Sequence, residues 1–295
     1  MKDSPQDHTK QLDFLNAKRD LKIIFFTSFV IHVIGVAMMT TYIILSLGLD
    51  VVLKSLNFSA PIILSSFIIS FFIFFWLHHN LIKFFFLKKE INITELQKEV
   101  LNFPKIPIFG FMAWVLAGIS TGYWLIIQNL APFHSVIVHI VFSTFLSGSL
   151  AGILQLNVTE FILQRNLFPY LLKGTRISKL SGIIKVPSHI RILLLTFTTA
   201  ILPCLFIYFL YELNETSGEL LLFVLAFTVF NAFWQGGFLL SAISQPIGQI
   251  AGKLQRFHKG ELEENSKPIW RTDALGQFSE MFVELVSSIQ ERDFF

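Results

Sequence analysis

Cysteine is almost missing from this 295-residue chain: Cys204 stands alone, which excludes a disulfide framework and a multi-cysteine zinc site. Charge is scarce as well. Asp, Glu, Lys and Arg make up 15% of the residues, against about 25% in soluble domains, which argues against an ordinary soluble enzyme. Proline and glycine are few, at 10 and 16, beside 34 phenylalanines. That balance excludes a solvated, disordered coil. There is no Gly-rich phosphate loop, no paired catalytic carboxylates, no nucleophile elbow and no metal-ligand spacing. Nor do the basic residues form a nucleic-acid stripe. The expectation is a non-catalytic chain with no cofactor, no metal and no nucleic-acid partner.

What the chain has is long uncharged runs. About 20 apolar residues cross the hydrocarbon of a bilayer as a helix. Six runs meet this: Ile23–Leu49, Phe58–Leu77, Ile106–Ile127, Val136–Leu156, Ile192–Tyr211 and Leu220–Ile243. The first is too long for a signal-peptide core. Of the 23 basic residues, only Lys54 falls in a connection on the side opposite the chain ends. By the positive-inside rule both termini are cytoplasmic. The expected protein is all-α and multi-pass in the plasma (inner) membrane, with a cytoplasmic tail over 1–22 and a transmembrane domain over 23–243. Outer connections of roughly seven to nine residues leave no outer domain to bind a ligand. The stimulus is expected from the membrane lipids, a membrane-protein partner or these small loops. In the second inner connection, Thr94–Asn102 reads as a short helix with Leu96 and Val100 on one face, against the headgroups.

The spans carry few polar groups. Gly118 and Gly122 in the third, and Gly148 and Gly152 in the fourth, have the small-residue spacing that lets two helices approach closely. His32 and His139 lie at unmatched depths, which argues against a haem pair. Asn231 and Gln235 share one face of the sixth span and are expected to point into protein. No acid or base sits mid-span, which weighs against an ion-driven transporter.

After Ile243 the composition turns polar. Ile247, Ile250, Leu254 and Phe257 are spaced 3, 4, 3; Leu275, Phe278, Phe282, Leu285 and Ile289 are spaced 3, 4, 3, 4. Both are coiled-coil seams, each too narrow to stand alone in water. Two such helices from each of two chains would close a four-helix bundle. Between them lies a polar connector, with Leu262 and Ile269 as candidate anchors. Asp273 is placed to cap the second helix.

Gln245-Pro246-Ile247, then Gly260-Glu261-Leu262, then Asp273-Ala274-Leu275-Gly276 with Phe282 downstream, resemble a HAMP domain over 244–292. Ala274 stands where that family usually has Glu. The resemblance implies a parallel homodimer that relays motion from membrane helices to an output domain. Six spans with small outer loops before such a segment resemble the membrane half of bacterial class III adenylate/guanylate cyclases. By that likeness, residues 293–295 would open an output domain that is not in this chain. The expected relay residues are Asn231, Gln235, Pro246, Ile247, Ile250, Leu254, Phe257, Gly260, Leu262, Asp273, Leu275, Gly276, Phe278, Phe282, Leu285 and Ile289. The alternatives are a small-solute transporter or channel with a cytoplasmic dimerisation segment, and a passive membrane anchor.

Overall fold

Helix α1 (Pro5–Leu47) opens the computed structural model, which describes residues 5–173, 175–184, 186–212, 217–259, 271 and 273–293. Its 43 residues make a rod of about 64 Å at 1.5 Å per residue, twice the hydrocarbon thickness. The expected tail is therefore not a separate segment. Ala17, Leu21 and Ile24 put one continuous apolar stripe on α1, and all three are fully buried. That burial extends the helix well before the uncharged run begins.

The chain reverses at Gly48 alone, whose φ of +93° lies in a region that L side chains rarely adopt. Helix α2 (Leu49–Leu77) then runs back, with Pro61 inside it. The expected first outer connection, which includes Lys54, is helical instead, because Val51 and Val52 pack on the bundle core. Next come α3 (His79–Leu87), α4 (Ile93–Leu101), α5 (Lys105–Ile127) and α6 (Phe133–Ile162). A π-helical turn and α7 (Phe168–Leu171) follow. The chain ends with α8 (Ser188–Thr196), a second π-helical turn, α9 (Leu202–Glu212), α10 (Gly218–His258) and α11 (Ala274–Asp293). The described residues contain no strand.

Six helical stretches are long and apolar enough to cross a membrane: α1, α2, α5, α6 with its continuation, α8–α9 and α10. This is the make-up of a multi-pass membrane protein. Successive spans run antiparallel. Phe25 meets Phe74 and His32 meets Phe67 between α1 and α2; Phe142 stacks on Phe206 between α6 and α9. Helix α6 is the axis of the bundle, packed against α1, α5, α9 and α10, and its span is the most buried of the six.

Both π-helical turns, Leu163–Leu167 and Phe197–Ile201, end two residues before a proline, Pro169 and Pro203. A proline ring collides with the carbonyl four residues back. Widening that turn moves the carbonyl aside and lets the helix continue.

One end of the bundle carries the basic residues, and there a second core forms. Leu81, Phe85, Leu96, Val100, Leu167 and Leu172 are buried in it together with the α1 stripe. Leu96 and Val100 thus share a face as expected, but that face meets protein rather than headgroups. Asn92 caps α4 by accepting the Thr94 N–H at 2.9 Å. Glu99 on α4 accepts the N–H groups of Asn80 and Leu81 at 3.1 and 2.8 Å, at the start of α3. Burial raises the Glu99 carboxyl above its ordinary range, and the two backbone donors oppose that shift.

Candidate relay site at the basic end of the bundle

Helix α10 does not break at Pro246. It runs 41 residues from the charge-poor end of the bundle past the basic end. Asn231 and Gln235 are fully buried on it. The Gln235 Nε2 donates to Asn231 Oδ1. That bond leaves Asn231 Nδ2 and Gln235 Oε1 buried without a partner. Each such atom forfeits about 1–3 kcal/mol of solvation. Beside them, Gly236 and Gly237 face open space.

Beyond Pro246, which is buried, α10 and α11 lie together. Phe257 meets Phe282 edge to face at 6.2 Å between centroids. Arg271, at the foot of α11, reaches Glu160 near the end of α6. Helix α11 therefore starts at the bundle and runs away from it, parallel to α10. Asp273 Oδ1 accepts the Gly276 N–H at 3.3 Å, as an N-cap does. A Cβ on Gly276 would overlap the Arg271 carbonyl.

The apolar seams divide into two halves. Ile250, Phe282 and Val286 are buried within the chain, with Leu275, Phe257 and Ile289 partly so. Ile247, Leu254, Phe278 and Leu285 stand 43–54% exposed. The structure thus brings together only half of the expected relay core. Gly260 and Leu262, with the connector anchor Ile269, lie outside the described residues.

A charged junction that sequence reasoning missed holds the foot of α11. Glu160 pairs with Arg191 at the start of α8, and Arg271 lies 3.9 Å from the same carboxylate. Arg271 also grips Asp273 through Nε and Nη2, at 3.0 and 2.6 Å. Arg191, Arg271 and Asp273 are all buried. Further along, the Ile177 N–H donates to Glu280 at 2.7 Å, and Arg176 pairs with Glu284. The segment after α7 thereby clasps α11. One signal was available: Glu160 is the only acid between Phe133 and Leu171.

Gly118 and Gly122 face Thr144 and Ile140 of α6, and Gly148 and Gly152 face Trp114 and Pro107 of α5. A Cβ at Gly118 would overlap the Thr144 side chain. His139 Nδ1 pairs with the Tyr42 hydroxyl at 2.7 Å, while His32 Nδ1 bonds the Ser28 carbonyl at 2.9 Å. The two histidines serve different neighbours. Among the described residues, no three His, Cys, Asp or Glu side chains gather as a metal site would need.

No protein-family model, curated protein or solved structure matches this chain.

Proposed function

We propose that this chain is the membrane half of a signalling protein, in which a six-helix bundle passes a membrane-derived signal through a HAMP-like helix pair to a cytoplasmic output. Both chain ends face the cytoplasm, where 22 of the 23 basic residues then lie. The output class that fits the architecture is an adenylate or guanylate cyclase. The chain itself is non-catalytic and acts as a parallel homodimer.

One observation carries this reading. Along the parallel pair α10–α11, half of each seam is covered inside the chain, and the other half, Ile247 and Leu254 with Phe278 and Leu285, is bare. A second copy related by a two-fold axis along the pair covers that half and completes a four-helix bundle. The signal enters where α10 carries its amide pair. Two buried polar atoms lack partners in this arrangement, so a shift or turn of α10 that supplies partners changes the relative stability of two packings. That differential is what a switch requires.

The test is cysteine cross-linking of the full chain in membranes, on a Cys204→Ser background. Leu254→Cys and Phe278→Cys are expected to give disulfide-linked dimers, while Gln255→Cys, exposed on another face, gives none. Equal cross-linking at all three positions, or none at any, would reduce the chain to a passive anchor.

A further inference from the structure

The bundle holds a cleft that the relay does not use. It is a groove between α1, α2 and α5, with Gln155 of α6 at its back, and its hollow, open side included, spans about 500 Å³. A second hollow of about 330 Å³ continues it toward the charge-poor end, past Met39 and Trp114. The two share His32, Phe67, Ser70 and Gly110. On α2 the lining runs from Ile63 to Leu77, about 21 Å of helix. No lining residue is charged. Phe29, Phe71 and Phe109 stand exposed at the mouth, on the surface that meets lipid if the helices span a bilayer.

Part-way along this apolar slot sits a polar spot. His32 Nδ1 bonds the Ser28 carbonyl. A carbonyl only accepts, so Nδ1 carries the proton and Nε2 is left as an acceptor. Gln155 spends its Nε2 donor on the Ser28 hydroxyl, and its Oε1 is buried with no partner. Both acceptors converge where Gly110 has no side chain. The point a Cβ would occupy lies 3.1 Å from His32 Nε2 and 3.8 Å from Gln155 Oε1. Two acceptors in an uncharged slot call for a neutral donor with apolar arms on both sides.

We propose that this cleft binds a long-chain secondary alcohol, or another uncharged lipid hydroxylated part-way along its chain, drawn sideways from the bilayer. The hydroxyl donates to Gln155 Oε1 beside His32 Nε2, and the two arms lie along α2. A charged headgroup has no counter-charge here. A plain alkane leaves the buried oxygen unmet, at a cost comparable to a lost hydrogen bond. The proposal extends the sensor reading by giving it a ligand class.

The test uses the full chain in phosphatidylcholine nanodiscs, with retention read by native mass spectrometry and stabilisation by thermal melting. The probes are a symmetrical long-chain secondary alcohol and its O-methyl ether. The alcohol is expected to bind about ten-fold more tightly than the ether, the scale of one buried hydrogen bond. Gln155→Leu is expected to weaken that preference, and Gln155→Leu with His32→Phe to erase it. Equal binding of alcohol and ether by the unaltered chain overturns the proposal, because the cleft is then only apolar; so does a hydroxyl preference that survives in the double variant. If that variant does not fold, the alcohol-to-ether ratio of the unaltered chain decides alone. Binding is read without reference to α10–α11 pairing. Alcohol binding with no cross-link at Leu254 would therefore keep this site and refute the relay.

Discussion

At the junction of α2 and α3, the imidazole of His78 stacks on Phe103 with ring centroids 4.0 Å apart and neither nitrogen bonded. Burial, helped by the nearby charges of Lys105 and His79, lowers its pKa to about 3. The unfolded imidazole titrates near 6.5. Between these values the unfolded chain binds the extra proton and the folded chain does not. Stability therefore falls as pH drops below about 6.5 and goes on falling to about pH 3, by up to roughly 1.4 kcal/mol per pH unit. His78→Phe keeps a ring against Phe103 and removes the titration. Melting temperatures measured in detergent from pH 7 to pH 4 are expected to fall less steeply for this variant than for the parent. In the sequence, His78 stands just past the second apolar run, at its boundary. Its stacking partner is 25 positions away, beyond two short helices that leave no uncharged run to find.

The elements divide by how their burial is written. The six long helices are legible because a span needs only uninterrupted apolar residues, and that is a local property. Helices α3 and α4 and the π-turn before α7 are short and amphipathic, and the second core, not composition, decides where their apolar faces go. The extension of α1 was within reach: Ala17, Leu21 and Ile24 follow helical spacing amid charges that look like a solvated tail. The clasp on α11 depends on contacts between distant segments and is invisible to periodicity. Its parts differ in strength. Glu160→Gln leaves Arg191 and Arg271 buried with a weakened counter-charge, a change of about 3–5 kcal/mol when a buried pair is broken. Arg176 and Glu284 are about half exposed, and such a pair contributes about 0–1 kcal/mol. Glu160→Gln is thus expected to lower the melting temperature clearly and to speed hydrogen exchange across the first turns of α11, while Arg176→Ala changes little. Equal effects of the two would show that the junction does not anchor the helix.

For the whole molecule, the partition of basic residues gave the order and alternation of the spans, and the antiparallel ring contacts agree with it. The seams were legible as heptads; which half faces inward was not, because Ile250 and Leu254 are equally apolar. Only the packing of α11 separates them. That separation predicts opposite outcomes for two similar substitutions. Leu254→Glu alters an exposed position and is expected to leave the single chain folded, within about 0.5 kcal/mol, while abolishing dimers counted by single-molecule photobleaching in nanodiscs. Phe282→Glu buries a charge in the α10–α11 contact and is expected to release α11 from α10, seen as loss of hydrogen-exchange protection along α11. Dimers that persist in Leu254→Glu, or none in the parent chain, would refute the proposed pairing through the bare seam.

The unbroken course of α10 through Pro246 has a mechanical consequence. Asn231 and Leu254 sit about 35 Å apart on a single shaft. Between them Pro246 lacks the N–H that would bond the carbonyl four residues back, so the rod is softest at that turn. In the proposed relay, a shift at the amide pair would reach the bare seam along this one helix, through that softer turn.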